Sequence, residues 1–390
     1  MPNLPKDYDI RVLNRLAECP RDAWDSLWSL APNPTPFMRH AYLSALEDTG
    51  CVQDQTGWHP QHLSLWQGER LVAACPLYLK AHSYGEYVFD WAWARAYEQH
   101  GLDYYPKALV AVPFTPVPGT RLLAQDAQCR AALAQALQQW VQTQGLSSAH
   151  VLYGDAEDAE VLNQHGWMPR QQIQFHWHNA GWPDFEAFLS QLQQAKRKKI
   201  KQERQKVAAQ GVRFRVLEGQ AIDAATWDFF YRCYAQTYWE HGNPPYLSRS
   251  FFEQLAHHHP EQWVMFVASR NDQPMACSLV GLHQAAKGSR IAYGRYWGAL
   301  ERVDCLHFEA CYYQPIAWCI ANGVQRFEGG AQGEHKMARA LMPTATASWH
   351  WVADPRFRAA IHDFVGRESD AVHAHQQALQ ARSPFRSSLE

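Results

Sequence analysis

Three adjacent side chains in a glycine-rich stretch could carry out acid–base chemistry. Glu334, His335 and Lys336 lie within FEGGAQGEHKMARALMPTATASWHW, which covers positions 327 to 351. They supply a carboxylate, an imidazole that titrates near neutral pH and a cation within one turn. Consecutive residues of a helix point about 100° apart, so the three side chains cannot all face one substrate. We therefore expect Glu334 or His335 to act as a general base, and Lys336 to bind an anion or form a structural ion pair.

The same stretch also has an interpretation without catalysis. A glycine-rich connection can hold two domains together through its polar residues, because polar clusters are often structural. Ser348, His350 and Glu334 are the residue types of a hydrolase triad, but the sequence contains no Gly-x-Ser-x-Gly motif that would present the serine. We reject hydrolysis and keep His350 as a candidate substrate ligand.

A predicted helix upstream of this stretch supplies a third candidate base. It follows Asp304, a residue type that favours the N-cap of a helix. His307 and Glu309 in its first turn could point into a cleft, where the helix dipole favours a carboxylate. Glu309 is therefore a third candidate catalytic residue. Pro315 predicts that the helix bends or starts late, because proline removes a backbone hydrogen bond.

An aromatic run in the first half of the chain predicts a strand. Tyr87, Phe89, Trp91 and Trp93 alternate with other residues, so one strand face would be aromatic and Asp90 would lie on the other. Such a face packs under a helix more often than it lines a ligand site.

The residues after this run, 98 to 107, predict a loop with polar tips, and polar groups on loops often serve function. We expect an acyl or glycan substrate to lie between this loop and the glycine-rich stretch. The candidate substrate ligands are Asp90, Trp93, Glu98, Tyr104, Tyr105, Lys107, Lys336 and His350.

A dense cationic segment predicts a helix over residues 186–210, ending at Gly211. Its cations are Lys196, Arg197, Lys198, Lys199, Lys201, Arg204 and Lys206. A charge run of this kind is most often a solvated helix face. It could instead bind the phosphates of coenzyme A or of a tRNA, and nothing in the run separates these two ligands. Arg197 and Lys198 are the candidate phosphate ligands.

The elements that position these residues form two similar patterns. Residues 63–93 and 264–298 each predict a hairpin followed by a third strand, and the second hairpin turns at Asn271 and Asp272. In each half a helix then ends at a glycine and a further strand follows. Each half therefore predicts a mixed, mostly antiparallel α/β sheet flanked by helices.

The connection between the halves lies around residues 179–186, where glycine, proline and aspartate occur together. This position predicts an N-terminal domain of residues 1–180 and a C-terminal domain of residues 181–390. The length of 390 residues agrees with two compact domains.

Charge and cysteine content exclude several classes of protein. The chain has 36 Lys and Arg against 38 Asp and Glu, so no global field favours DNA or a membrane surface. Nine cysteines without a Cys-x-x-Cys pair are typical of reduced thiols in a cytoplasmic protein. The run His257-His258-His259 predicts no metal site, because adjacent histidines diverge on a helix. No apolar run reaches the ~18 residues that a membrane span needs.

Several long motifs resemble a known family. They are YGEYVFDWAWARAYEQHGLDYYPKALVAVPFTPVPGTRLL at 84–123, LHFEACYYQPIAWCIANG at 306–323 and GAQGEHKMARALMPTATASWH at 330–350. With them the chain resembles the bacterial FemAB-like family of predicted N-acyltransferases, labelled as peptidoglycan biosynthesis or recognition proteins, over nearly its whole length. The resemblance implies a tandem duplication of the GNAT acyltransferase fold, as in the Fem-type peptidyltransferases of cell-wall synthesis.

The resemblance also implies a reaction, in which an acyl group moves directly from a thioester such as acyl-CoA to an amine of a small molecule, glycan or peptide. In the first half, the segment comparable to the pyrophosphate loop offers Gly119, Thr120 and Arg121 as candidate cofactor ligands. This segment lacks the usual Gly-x-Gly/Ala step, and its prolines are equally consistent with a structural loop. Two alternatives remain: Fem-like transfer from aminoacyl-tRNA to a cell-wall precursor, and a non-catalytic module that binds a glycan or partner.

Overall fold

The chain divides into two compact units. The structure is a computed structural model that describes residues 8–284, 288–331 and 333–386. Unit 1 comprises residues 1–172 and 346–374, and unit 2 comprises residues 173–345 and 375–390.

This division differs from the predicted boundary at residue 180. Segment 346–374 returns to unit 1, where it adds a strand and most of a helix to the core. Phe357, Ile361 and Val365 of that helix pack with Trp93 and Tyr97. The sequence alone gave no sign of this return, because it depends on contacts between residues far apart in the chain.

The elements up to residue 178 alternate short helices and strands. They are β1 (Asp9–Leu13), α1 (Arg21–Leu30), α2 (His40–Asp48), β2 (Trp58–Pro60), β3 (His62–Gln67), β4 (Arg70–Cys75), β5 (Leu77–Lys80), α3 (Trp91–Gln99), β6 (Lys107–Val110), β7 (Leu123–Ala124), α4 (Ala127–Thr143), β8 (Ser148–Val151), α5 (Ala156–Gln164) and β9 (Met168–His178).

The remaining elements have longer strands. They are α6 (Phe185–Ser190), α7 (Gln194–Ala209), β10 (Val212–Glu218), α8 (Ala224–Glu240), α9 (Arg249–His258), β11 (Trp263–Arg270), β12 (Gln273–Gln284), β13 (Arg290–Ala299), α10 (Leu306–Phe308), α11 (Gln314–Ala321), β14 (Arg326–Ala331), β15 (Met342–Val352) and α12 (Pro355–Gln380). A π-helical turn, Glu309–Tyr313, joins α10 to α11, and a 3-10 helix, Glu334–Arg339, follows β14.

Unit 1 contains two sets of paired strands. β1, β3, β4 and β7 form an antiparallel sheet. The second set runs in the order β15, β8, β6, β5, β2, and its β6–β8 pair is parallel. α4 begins after Asp126, whose carboxylate accepts a hydrogen bond from the Cys129 N–H at 2.8 Å. The apolar residues of α4 pack with those of β3, β4 and β8 in one core.

Unit 2 has a sheet in the order β10, β11, β12, β13, β14, β9. Neighbouring strands are antiparallel except β13 and β14, which are parallel. The turn between β11 and β12 has Asn271 and Asp272 at positive φ, as the hairpin prediction requires. Phe175, Val264, Ile316 and Phe327 pack together in the core between this sheet and α11.

The predicted fold class is confirmed in its main features. In each unit a parallel strand pair is joined through a helix that ends at a glycine, Gly145 after α4 and Gly323 after α11, both at positive φ. The strand predicted from the aromatic run between Tyr87 and Trp93 is wrong: Trp91–Gln99 is helix α3. Trp93 and Tyr97 are four residues apart and both buried, so helical packing decides the structure here.

The predicted basic helix over residues 186–210 consists of two helices. α6 ends at Ser190 and α7 begins at Gln194, and α7 ends before Gly211, which has a positive φ. No helix among the described residues has both the length and the apolar character that crossing a bilayer requires.

Gly298 is a position where the close packing of α8 on β13 can be tested. A Cβ at this position would lie 2.0 Å from the carbonyl oxygen of Cys233 in α8. We expect Gly298→Ala to lower the free energy of unfolding by about 3 kcal/mol, because a backbone atom cannot move aside cheaply.

The matched control is Gly366→Ala in α12, where nothing lies within 4 Å of the added Cβ. That change is expected to stabilise by about 1 kcal/mol through helix propensity. Urea unfolding measures both, and equal effects would contradict the packing described.

Candidate active site

Unit 2 contains a cavity where its two parallel strands separate. β13 and β14 pair only from Ile291 to Tyr293 and from Arg326 to Glu328. Beyond this point a cavity of about 250 Å³ lies between them. Its lining residues are Ser278, Leu279, Val280, Gly294, Arg295, Tyr296, Trp297, His307, Cys311, Tyr312, Phe327, Gly329, Ala331, His335 and Lys336.

An irregularity in β13 shapes one wall of the cavity. Val280 of β12 is opposite Gly294, whereas Leu279 is opposite Tyr296, so Arg295 is an extra residue. Such bulges redirect side chains and often lie beside functional sites. Gly294 also permits a close approach to β14, because a Cβ there would lie 3.1 Å from the Phe327 ring.

The π-helical turn forms another wall. His307, Cys311 and Tyr312 of this region line the cavity. The turn ends at Tyr313, two residues before Pro315, which is near the start of α11 and cannot donate a backbone hydrogen bond. Pro315 therefore coincides with a change of helix type. The predicted N-cap at Asp304 is wrong, because Cys305, with φ of 66°, precedes α10.

His335 is the predicted base that faces this cavity. Gly333, with φ of 103°, reverses the chain before the 3-10 helix. The His335 Nε2 atom lies 3.2 Å from the Tyr312 hydroxyl, and the His335 carbonyl accepts from Arg339 at 2.7 Å. Partial burial, then the charges of Lys336 and Arg339, lower the pKa of His335 below its usual 6.5. The imidazole is therefore neutral at pH 7 and able to accept a proton.

Lys336 lines the same cavity but forms no ion pair in the described part of the chain. Its Nζ donates to the carbonyl oxygens of Gly330 at 3.0 Å and Ala331 at 3.2 Å, which fastens the 3-10 helix to the end of β14. Burial lowers the pKa of Lys336 to about 8. The predicted ion pair is thus replaced by carbonyl contacts, and anion binding by Lys336 stays a prediction.

The other two predicted catalytic carboxylates do not line this cavity. Glu334 is exposed and interacts with His375 at 3.1 Å and Arg382 at 3.6 Å. Glu309 is buried and accepts from Arg204 at 3.1 Å. Burial raises the pKa of Glu309, with Arg204 opposing this effect. Glu309 instead lines a separate cavity of about 380 Å³ beside α7. His335 alone of the three predicted catalytic residues therefore remains a candidate base for this cavity.

Unit 1 brings together many of the predicted substrate ligands in a buried cluster. The Nζ of Lys107 donates to Glu86 at 2.8 Å, to Asp90 at 2.5 Å and to Ser83 at 2.8 Å. Tyr104 donates to Asp90 at 2.6 Å. Asp90, Tyr104 and Lys107 were predicted as substrate ligands, but they were expected on a strand and a loop with polar tips. Because these side chains are buried, they can contact a substrate only if the substrate can reach the interior of unit 1.

His350 joins this cluster through a second histidine. His150 Nδ1 and His350 Nδ1 are 2.7 Å apart, and His150 Nε2 is 2.9 Å from the Ser148 hydroxyl. Burial lowers the pKa of His150 to about 3 and that of His350 well below 6.5, so both rings are neutral. The Trp93 ring packs edge-on against His350 at 4.9 Å.

The remaining predicted substrate ligands lie at an open groove of unit 1. Glu98 of α3, Tyr104 and Tyr105 line this groove, which has a volume of about 640 Å³, together with Trp91 and Arg95. Tyr104 thus separates the groove from the buried cluster. Of the expected ligands, His350 and the loop belong to unit 1, whereas His335 and Lys336 belong to unit 2. A single substrate site that joins them stays a prediction.

The predicted cofactor ligands of the first half contact other parts of the protein. Arg121 is fully buried and donates to the carbonyl oxygens of Gly119 and Val117. Thr120 donates to Asp155 at the start of α5. These groups hold their own loop together and are not open to a ligand, so the prediction that they bind coenzyme A is not supported.

The cations of α7 have a different character. Lys198, Lys199, Lys201 and Lys206 are exposed, and Arg197 is half-buried. Lys201 pairs with Glu186 at 2.6 Å. Arg197 and Lys198 have no salt bridge within the described residues. Their role as phosphate ligands stays a prediction.

Sequence reasoning missed several residues of the site. Tyr312 lies within the motif at 306–323 but was not among the predicted site residues. Gly294 could have indicated the cavity wall, because a glycine inside a strand pattern often marks a bulge or a close approach. His150 gave no signal. Among the described residues there is no group of three or more metal-ligating side chains.

Comparison with known proteins is consistent with this architecture. The model of the FemAB-like family, described as peptidoglycan biosynthesis/recognition, matches residues 15–387. The chain is 9% identical to the crystal structure of FemX, with a TM-score of 0.53, covering 88% of this chain and 98% of that one. It is 9% identical to the C-terminal domain of a putative lysylphosphatidylglycerol synthetase from Agrobacterium fabrum, with a TM-score of 0.53 and coverages of 90% and 97%. No curated protein matches the chain. At these identities the two structures show a shared fold.

Proposed function

Because the chain belongs to the FemAB-like family of peptidoglycan biosynthesis/recognition, we propose that it transfers an acyl group to an amine in the cavity between β13 and β14. The observation that carries this proposal is His335, a neutral imidazole held by Tyr312 at the wall of that cavity. From Gly294 onward, the cavity edge of β13 takes no part in the β13–β14 ladder. Its N–H groups can therefore donate to a ligand's carbonyl oxygen.

The reaction has four linked events. The amine nitrogen attacks the acyl carbon and forms a C–N bond. The carbonyl oxygen gains negative charge, which backbone N–H groups of β13 stabilise. His335 takes the proton that the amine loses. The bond from the acyl carbon to the donor breaks, and the leaving thiolate or alkoxide takes the proton that His335 holds.

The first candidate donor is an acyl-CoA thioester, which acts as a co-substrate. Its pyrophosphate requires backbone N–H groups or cations near the cavity. Lys336 lines the cavity, and Arg197 and Lys198, which form no salt bridge with the residues that the structure describes, lie in the same unit. We propose a cytoplasmic location, where acyl-CoA and charged tRNA both occur.

A specific observation favours aminoacyl-tRNA as a second candidate donor. The connection from β13 to α10, residues 300–305, contains no glycine and carries two acidic residues, Glu301 and Asp304, against one cation, Arg302. Glu301 pairs with Arg270 across the end of the hairpin. An acidic connection without glycine is poorly suited to cradle a pyrophosphate. The cations of α7 could instead contact the phosphates of a tRNA that delivers an aminoacyl group to a cell-wall precursor.

Thermal unfolding of the full chain distinguishes these donors. A ligand that binds only the folded state raises the midpoint in proportion to its occupancy. A shift with acetyl-CoA or longer acyl-CoAs, and none with aminoacyl-tRNA, identifies the thioester donor. A salt-sensitive shift with aminoacyl-tRNA alone identifies the second candidate. If neither donor shifts the midpoint, the proposal of acyl transfer fails and a binding role for a glycan or partner replaces it.

The pH dependence of transfer follows from the pKa of His335. A protonated imidazole cannot act as a base, so activity is lost as pH falls through this pKa. Because burial and the charges of Lys336 and Arg339 lower the pKa, we expect kcat/KM to reach half its maximum below pH 6.5. Lys336→Met removes one of those charges and should move the midpoint upward. A midpoint above 6.5 in the wild-type protein would argue against His335 as the base.

A further inference from the structure

Lys336 is a buried cation at the wall of the cavity between β13 and β14. Its side chain is 4% exposed. An ammonium has three N–H donors, and the carbonyl oxygens of Gly330 and Ala331 accept two of them. Among the residues that the structure describes, no carboxylate pairs with Lys336. Because a buried charge is costly without an opposite charge beside it, this ammonium favours an anionic ligand.

The charge of Lys336 acts on the side chains that a ligand in the cavity would contact. Burial lowers the pKa values of His307 and His335, and the charge of Lys336 contributes to both shifts. Burial raises the pKa of the Cys311 thiol, and Lys336 opposes this shift. All three residues line the cavity, as Lys336 does. The ammonium is therefore close to the space that a ligand would occupy.

The lining of the cavity supplies no negative charge. None of the described residues that line it is acidic, and the Glu203 carboxylate nearby pairs with Arg339 at 3.1 Å. An amine arrives as an ammonium at neutral pH and must lose a proton before it attacks. An acceptor without an acid group would therefore bring a second positive charge close to Lys336, which is unfavourable. An acceptor that carries its own negative charge avoids this repulsion.

The proposed base and this cation are consecutive residues. The Cα atoms of His335 and Lys336 are about 3.8 Å apart, and both residues line one cavity of about 250 Å³. One small molecule can therefore place its amine near His335 and its negative charge near Lys336 if few bonds separate the two groups. The remaining N–H of Lys336 suits one oxygen of a carboxylate. A pyrophosphate would require several donors.

We infer that the acceptor is an amino acid, with a carboxylate a few bonds from its amine, and that Lys336 binds this carboxylate. The inference rests on the proposed function, because that function makes His335 the base for the reacting nitrogen. The nitrogen forms its bond to the acyl carbon as the bond to the donor breaks, and the product is an N-acyl amino acid. The carboxylate stays ionised and takes no part in these bond changes.

Binding to the full-length protein tests the inference without requiring turnover. Isothermal titration, with and without coenzyme A, screens the standard L-amino acids, β-alanine and 4-aminobutyrate. The probe that binds most tightly is then compared with its primary amide, which keeps the amine but has no negative charge. We expect the amide to bind at least about tenfold more weakly, because it loses a hydrogen bond between charged groups. Equal affinities, or no binding by any of these probes, would overturn the inference.

Variants of Lys336 locate the carboxylate. Lys336→Gln keeps N–H donors for the carbonyl oxygens of Gly330 and Ala331 but removes the charge. We expect it to weaken binding of the amino acid about tenfold to 100-fold and to leave binding of the amide nearly unchanged. Lys336→Arg restores a positive charge and should recover part of the affinity. If Lys336→Gln leaves the preference for the amino acid over its amide unchanged, the carboxylate is bound elsewhere and the inference is wrong.

The matched control removes a positive charge elsewhere in unit 2. Arg213 of β10 is exposed and does not line the cavity. Arg213→Gln should therefore leave the affinities of the amino acid and of its amide unchanged. An effect equal to that of Lys336→Gln would mean that the overall charge of the unit, and not a contact with Lys336, sets the preference.

Three further results separate this inference from the function on which it rests and from another source of negative charge. If the wild-type protein prefers the amino acid but transfers no acyl group to it, the proposed function fails and the carboxylate site remains. If the protein acylates the amide as efficiently as the amino acid, the function stands and the inference fails. If Lys336→Gln weakens binding of coenzyme A but not of the amino acid, Lys336 binds phosphates of the donor and the inference is wrong.

Discussion

Replacing His335 with alanine is expected to lower the rate of acyl transfer by about 10²- to 10³-fold and to leave the folded structure intact. The rate falls because the amine loses the base that accepts its proton. The fold should tolerate the change because the His335 side chain is exposed and its carbonyl contact with Arg339 belongs to the backbone. Steady-state kinetics with the donor identified by thermal unfolding, together with the unfolding midpoint, measures both effects.

Two other substitutions make this test specific. Glu334→Gln should keep nearly the full rate, because Glu334 contacts His375 and Arg382 and does not line the cavity. His257→Ala removes an exposed histidine of α9 in the same unit and should also have no effect. A large loss with Glu334→Gln and none with His335→Ala would reverse the assignment of the base.

Replacing Lys107 with methionine is expected to lower the free energy of unfolding by about 3 to 5 kcal/mol. Lys107 is fully buried, and its ammonium contacts both Glu86 and Asp90. Removing one partner of a buried charge network leaves the others without compensation. Methionine is similar in length to lysine, so the packing around position 107 is kept. The loss of stability therefore measures the effect of removing the charge. Urea unfolding measures the loss in free energy. Hydrogen exchange of peptides from unit 1 shows which unfolding transition belongs to that unit.

The pH dependence of this loss has a defined sign. In the native protein, burial raises the pKa of Asp90, but the charge of Lys107 and the other groups around Asp90 together outweigh this effect, so the pKa lies below its usual 3.8. The stability that Asp90 contributes is therefore present above pH 3.8 and lost as pH falls through the folded pKa. Without Lys107 both carboxyl groups become costly to ionise, so the deficit should be largest at neutral pH and smaller near pH 4. Arg95→Met on the exposed face of α3 is the control. A deficit that does not change with pH would contradict the role of the charges.

The sequence predicted the parts of the fold that depend on neighbouring residues. Gly145 and Gly323 end helices at positive φ, and Asn271 and Asp272 form the hairpin turn of unit 2. These signals are local, because they depend on the backbone conformation that each residue allows. They were sufficient to indicate the repeated helix–glycine–strand pattern and, with the motifs, the fold class.

The sequence could not settle which period governs residues 87–97. The alternation from Tyr87 to Trp93 fits a strand, whereas the spacing from Trp93 to Tyr97 fits a helix. Packing against Phe357 of α12 resolves the conflict, since its ring stacks on Tyr97 at a centroid distance of 4.0 Å. This contact joins residues 260 positions apart, so no local pattern could reveal it.

The candidate site shows the same limit. The sequence offered Glu334 and His335 as equal candidates for the base, and only the turn at Gly333 decides which one faces the cavity. Lys107 and Asp90 were expected to bind a substrate, but in the structure Lys107 donates a hydrogen bond to Asp90. Residue type alone identified side chains that can react or bind. Their burial and their partners decide whether a ligand can reach them.

Hydrogen–deuterium exchange of the full chain, with and without the donor that raises the unfolding midpoint, tests most directly whether the cavity of unit 2 is the site of transfer. We predict slower exchange in peptides that cover Gly294–Ala299 and Gly333–Arg339, because a ligand in the cavity occupies the edge of β13 and the 3-10 helix. Protection confined to peptides of unit 1, such as those that cover α3 and the residues up to Lys107, would contradict the account.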